Sequence, residues 1–158
     1  MAQIATLDLP DADATQHLGE TFAGLVAAGD VLLLEGPIGA GKTHFARSLI
    51  QARLARLGRQ EDVPSPTFTL VQIYDAEPEI WHADLYRLTH PDEVIELGLE
   101  AAFDTAICVI EWPDRLAGLT PAGALVLRFE QSHAGASRRV ILSGAPEWGQ
   151  RLAGIGGA

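Results

Sequence analysis

Gly36-Pro37-Ile38-Gly39-Ala40-Gly41-Lys42-Thr43 fits the pattern G-x-x-x-x-G-K-[ST] at every defined position. Residues of these types at this spacing cradle a polyphosphate. The glycines let the backbone curl until successive N–H groups point at one phosphate, and a helix N-terminus adds its partial positive charge there. The Lys42 ammonium then bridges the outer phosphates while the Thr43 hydroxyl ligates Mg2+. A turn that merely opened a helix would not need Lys-Thr after its last glycine. The pattern predicts nucleotide binding, with His44 next in line as either a phosphate neighbour or a surface residue.

A P-loop also needs an acidic residue at the end of a neighbouring apolar strand, to hold Mg2+ or its water. Glu111 ends the run Ile107–Ile110, and Asp84 ends Ile80–Ala83. The simplest joint assignment gives Glu111 the metal and Asp84 the attacking water or the outer metal sphere; a solvated strand-end acid is the plain alternative for either. Ser65-Pro66-Thr67 lies about 20 residues past the loop, where switch segments sense a γ-phosphate. Its hydroxyls suit that task and ordinary loop chemistry alike. His82 and Asp84 share one face of any strand over 80–85. Neither His44 nor His82 has a metal-ligand pattern, and Cys108 sits in an apolar run that marks it as inert core.

Elements to position these groups can be read from the pattern of apolar residues. Residues 3–9 read as a first strand, and Asp11 or Asp13 can cap a helix carrying Leu18, Phe22, Leu25 and Val26 up to a stop at Gly29. Val31–Leu34 and Ile107–Ile110 are continuous apolar runs, as in strands buried on both faces. An amphipathic helix is expected over 42–57, ended by Gly58. Residues 68–74 and 80–85 read as a hairpin, 91–103 as one helix, 124–130 and 138–142 as strands, and 146–153 as a short helix. The mixture predicts an α/β fold: one P-loop NTPase-like domain over 1–158, with a mixed, mostly parallel sheet flanked by helices.

The composition narrows the function. The 158 residues carry 21 acidic and 11 basic side chains, a formal charge of −10, and Lys42 is the only lysine. Affinity for a nucleic-acid backbone comes from clustered Lys and Arg, so the chain is a poor candidate for gripping RNA alone. One cysteine allows neither an internal disulfide nor a Cys-based zinc site. The Asn-Lys-x-Asp guanine reader needs a second lysine and is excluded. MAQIATLDLP lacks a basic, apolar leader, and no run approaches the ~20 apolar residues of a membrane span, so a cytoplasmic protein without membrane contact is expected.

Four blocks in order resemble the bacterial TsaE family, the small ATPases of tRNA threonylcarbamoyladenosine biosynthesis: Gly36–Thr43, Ser65-Pro66-Thr67-Phe68-Thr69-Leu70-Val71, His82-Ala83-Asp84-Leu85-Tyr86-Arg87-Leu88 and Ile110-Glu111-Trp112-Pro113. Leu9-Pro10, Thr15, Leu18 and Gly19 also agree, so the likeness spans roughly residues 7 to 115. It implies ATP and Mg2+ as ligands and two protein partners, the catalytic threonylcarbamoyl-transferase subunit and its scaffold paralogue, with tRNA met only through that complex. ATP binding and hydrolysis would reset the complex between turnovers. Carried over, Lys42 and Thr43 hold phosphates and metal, and Ser65 and Thr67 form the switch-like loop. Asp84 and Glu111 serve hydrolysis and Mg2+, Trp112 lies beside the nucleotide, and Asp11–Thr15, with Ala12 and Thr15, lies near the adenine. Pro37, often acidic in the family, and His44, often Thr, depart from its pattern. Pro37 also removes a backbone donor from the loop. Both departures bear on hydrolysis rate more than on binding.

Two other functions fit a P-loop: a small metabolite kinase, and a nucleotide-sensing adaptor with negligible hydrolysis. A kinase usually needs an arginine-bearing lid. Between Glu61 and Asp114 stand 13 acids and one base, Arg87, so such a lid would fall to Arg138 and Arg139. The acid-rich segment is either a solvated face or a surface for a basic groove on a partner.

Overall fold

The computed structural model describes residues 2–131, 137–153 and 155. Strand β1 (Ala2–Leu9) leads into helix α1 (Ala12–Ala23), whose first turn is capped by the Asp11 carboxylate accepting from the Ala14 amide at 2.8 Å. β2 (Val31–Glu35) feeds the glycine-rich loop and α2 (Lys42–Ala55). β3 (Val71–Tyr74) and β4 (Ile80–Asp84) form the expected antiparallel hairpin. Helices α3 (Asp92–Glu96) and α4 (Leu99–Thr105) precede β5 (Ile107–Glu111). A 3-10 helix (Pro113–Leu119), β6 (Leu125–Gln131), β7 (Arg138–Gly144) and α5 (Pro146–Arg151) complete the order.

The seven strands form one sheet in the order β1-β7-β6-β2-β5-β4-β3. Its middle, β6-β2-β5-β4, is parallel; β3 on one side and β7 on the other run against it, and β1 pairs antiparallel with β7. β2 and β5 are buried on both faces, as their unbroken apolar runs require. Alternation sends Leu32, Leu34, Ile107, Val109 and Phe129 to the core beneath α1 and α2, and Val31, Leu33, Cys108 and Ile110 to the core beneath α3 and α4. In the first core, Phe45 of α2 packs between Phe22 and Phe129, with ring centroids 5.5 and 5.7 Å away. Gly19 lets α1 and α2 touch, since a Cβ there would lie 2.8 Å from both the Phe45 carbonyl oxygen and the Ser48 Cβ.

Four local expectations are corrected. α1 ends at Ala23 with Gly24 as its cap, not at Gly29; the Leu25 and Val26 amides both turn back to the Phe22 carbonyl, and the Arg53 and Arg56 guanidiniums of α2 satisfy the terminal Ala23 carbonyl at 2.9 and 3.1 Å. α2 stops at Ala55, two residues early, although Gly58 still closes it: the Arg59 amide reaches back to the Leu54 carbonyl at 3.1 Å. Phe68-Thr69-Leu70 is a turn rather than strand, closed by the Leu70 amide on the Pro66 carbonyl at 2.7 Å. The helix expected over 91–103 breaks at Gly98, which takes φ +83 against the Trp81 indole.

Candidate functional site

Register brings the chemistry together. Leu34 of β2 and Asp84 of β4 both pair with Glu111 of β5, so the loop after β2 and the two acids share the C-terminal edge of the parallel strands. That edge is where open α/β sheets bind ligands. Alternation turns His82, Asp84 and Glu111 to the face beneath α2. Gly36 leaves β2 at φ +132, where any Cβ would fall 2.4 Å from the Phe129 carbonyl oxygen. Gly41 caps α2 at φ +106, a left-handed conformation that only glycine takes without strain.

A chain of hydrogen bonds runs through Glu111. Its Oε1 accepts from the Thr43 hydroxyl at 2.7 Å, and its Oε2 meets His82 Nε2 at 2.7 Å. His82 and Glu111 are 0% and 2% exposed, so the contact is dry and each group depends on the other. Asp84 is held separately: Oδ1 accepts from the Tyr86 amide at 3.0 Å and Oδ2 from the Thr67 hydroxyl at 3.2 Å. Thr67 in turn touches the Ser65 hydroxyl at 2.7 Å. The switch-like segment is thus tied to the strand acid rather than loose.

Lys42 is buried, and its Nζ donates to the Gly36 carbonyl at 2.5 Å while standing 3.6 Å from the Trp112 ring centroid. Burial lowers its pKa, and the nearby charges of Glu111, Asp84 and Asp114 work against that fall. Trp112 takes φ 59 and ψ 55, strained for a non-glycine residue, and its ring lies 4.8 Å from that of Tyr86. Strain of this kind persists where the surroundings hold it, and here it keeps an indole over the loop lysine.

These side chains surround a cavity of about 630 Å3. Of the residues singled out in the sequence, Ala12, Ile38, Gly39, Gly41, Lys42, Thr43, His44, Thr67, Asp84, Glu111 and Trp112 line it. His44 Nε2 lies 3.0 Å from the Ala12 carbonyl oxygen, tying α2 to the start of α1. Gly36, Pro37, Ala40, Thr15 and Ser65 stand behind or beside the walls. Ala40 is buried with its amide on the Pro37 carbonyl, and Thr15 is buried with its hydroxyl unpartnered among the described residues. Tyr86 and Arg138 line the cavity without having been singled out for the nucleotide site. Tyr86 lay inside a recognisable motif, whereas Arg138 carried no motif and is brought in by strand order alone.

The donor set suits a hard cation. Among the described residues no group of three or more His, Cys, Asp or Glu is arranged to hold a metal ion by itself. The cavity instead offers a hydroxyl and a carboxylate oxygen, the sparse oxygen set that Mg2+ takes when phosphates and water fill its shell. Thr43 spends its proton on Glu111 and keeps its lone pairs free.

The family model for the threonylcarbamoyl adenosine biosynthesis protein TsaE matches residues 9–141. The chain belongs to the TsaE family. The TsaE protein of Treponema pallidum is 37% identical over 111 residues, 70% of this chain and 79% of that protein. That of Haemophilus influenzae is 34% identical over 129 residues, 77% and 79% of the two chains. The crystal structure of Bacillus subtilis YdiB superposes with a TM-score of 0.76 at 23% identity, covering 96% of this chain and 92% of that one, which shows the shared fold. The family match reaches past residue 115 to include β6 and the start of β7. Membership of TsaE sets the chain within tRNA threonylcarbamoyladenosine biosynthesis, with a P-loop fold suited to nucleotide binding. Among the described residues no helix is long and apolar enough to cross a membrane.

Proposed function

We propose that this TsaE protein is a Mg2+-dependent ATPase of the cytoplasm whose ATP binding and hydrolysis reset a partner threonylcarbamoyl-transferase complex. The partners are the catalytic transferase subunit and its scaffold paralogue, and tRNA is met through them. The observation that supports this best is the Thr43–Glu111–His82 chain lying beside the Asp84–Thr67 pair at one P-loop cavity.

Backbone amides of 38–43 and the α2 N-terminus bind the phosphate chain. Lys42 exchanges the Gly36 carbonyl for phosphate oxygens, a short movement within the same loop. Thr43 and Glu111 would hold the metal, with His82 fixing the carboxylate from behind. Mg2+, when bound, neutralises charge on the transferring phosphoryl group. Asp84 orients the attacking water, and Thr67, bonded to Asp84, reports whether the terminal phosphate is present.

The test is ATP turnover by the chain alone and with both partner subunits. Phosphate released to water, faster with partners, supports the reading. Phosphate recovered on a small acceptor would make the protein a kinase, and tight nucleotide binding without turnover under either condition would make it a sensing adaptor.

A further inference from the structure

Arg138 stands apart from the other arginines. Each of the other nine makes a hydrogen bond or an ion pair. Arg47, Arg53, Arg56, Arg59, Arg87 and Arg115 donate to backbone carbonyls, Arg151 grips Asp30, and Arg128 and Arg139 share Glu130. Among the described residues Arg138 has no such partner, and its Nε is buried. The residue as a whole is only half-buried, but a donor N–H withdrawn from water without an acceptor is costly, and this chain of net charge −10 has many carboxylates that could have supplied one.

Its position is fixed by the sheet. β6 lies beside β2 on the side away from β5, and the edge of the β6–β7 pair follows the P-loop. The Phe129 carbonyl abuts Gly36, Gln131 Nε2 donates to the Gly39 carbonyl at 3.1 Å, and Arg138 pairs with Gln131 across the strands. The Arg138 Cδ lies 3.6 Å from the point a Cβ on Gly41 would occupy, and the residue lines the nucleotide cavity. Glu111 approaches the same loop from the β5 side, so Arg138 is the cation opposite the carboxylate.

We propose that Arg138 is a second phosphate-binding cation of this cavity, placing its guanidinium on the phosphate chain of a bound nucleotide from the Gly41 side. A planar guanidinium presents paired donors that match phosphate oxygens, which a lone ammonium does not. The proposal rests on the nucleotide-binding reading above. It also explains why the donor is left without a protein acceptor: its acceptor arrives with the ligand.

Calorimetric titration of the full chain with Mg2+ and either ATP or inorganic tripolyphosphate tests it. Arg138→Ala should weaken both by the same factor, about 10- to 100-fold for a lost charge-assisted contact. Arg138→Lys should recover part of the loss, and Arg138→Gln serves if the alanine variant does not fold. The unfolding temperature without ligand should stay at the wild-type value. Unchanged affinity for both ligands overturns the proposal. So does a loss confined to ATP with tripolyphosphate unaffected, which would put the guanidinium on the base or ribose. A wild-type chain that binds neither ligand would instead refute nucleotide binding itself.

Discussion

Replacing Glu111 separates its structural work from its proposed metal role. The carboxylate accepts from Thr43 and His82 at 2.7 Å each and is 2% exposed. Glu111→Ala deletes both bonds and leaves the buried His82 Nε2 without its partner; an unsatisfied buried polar group costs about 1–3 kcal/mol, and the volume vacated by the side chain adds to that. Together these take a sizeable part of the ~5–15 kcal/mol a domain of this size has, so loss of function in the alanine variant would say little about metal. Glu111→Gln keeps the volume and one acceptor oxygen, and its amide can donate to the other His82 tautomer. We expect a loss of about 1–2 kcal/mol in urea unfolding. The informative measurement is ATP affinity with and without Mg2+. In the wild type Mg2+ should tighten ATP, and in Glu111→Gln that gain should shrink by about 10- to 100-fold, the worth of one charged contact. If the gain survives in Glu111→Gln and disappears in Asp84→Asn, the metal belongs to Asp84 and the assignment of the two carboxylates is reversed.

Gly36→Ala sets a Cβ 2.4 Å from the Phe129 carbonyl oxygen at φ +132, so it should lower the unfolding free energy by at least ~1–3 kcal/mol, measured in denaturant. Asp11→Ala removes the α1 cap and should cost about 1 kcal/mol in the same assay. Cys108 is fully buried and its thiol is pushed up to about 12 by desolvation, so a thiol reagent at pH 8 should modify it only in urea. Because its native pKa lies above the ordinary 9.0, the unfolded chain loses this proton first, and stability should fall as pH climbs from 9 toward 12.

What was legible in the sequence was whatever acts locally. The P-loop announces itself because phosphate dictates residue types at fixed offsets, and β2 and β5 because strands buried on both faces are unbroken apolar runs. The i, i+2 rule put His82 and Asp84 on one face, but not that Glu111 would sit against His82, since that depends on β4 pairing with β5. Two of the missed boundaries involve contacts from outside their own segments. The last carbonyl of α1 is taken by arginines 30 and 33 residues away, and the turn at 66–70 contains a threonine bonded to Asp84. Gly98 is different, for a glycine inside a helical pattern was visible and its helix-breaking φ could have been weighed. Arg138 could be read from the sequence only as a candidate lid arginine of a kinase, because only the sheet order places β7 beside the loop.

The charge distribution then bears on why a cation should be required. Asp84 and Glu111 stand at the same end of the cavity, both buried, and only Lys42 and Arg138 carry positive charge among its walls. Two unit charges about 4 Å apart interact by about 4 kcal/mol at the effective dielectric of such a site. A bare polyphosphate brought against these carboxylates would meet repulsion of that order, and Lys42 is already shared with them. A divalent ion held by Thr43 and Glu111 would offset that repulsion, so the proposed Mg2+ dependence is expected on electrostatic grounds as well. The same reasoning bears on the acid-rich segment 61–114. Its exposed carboxylates repel an RNA backbone, which favours a partner protein, rather than this chain, as the one that holds the tRNA.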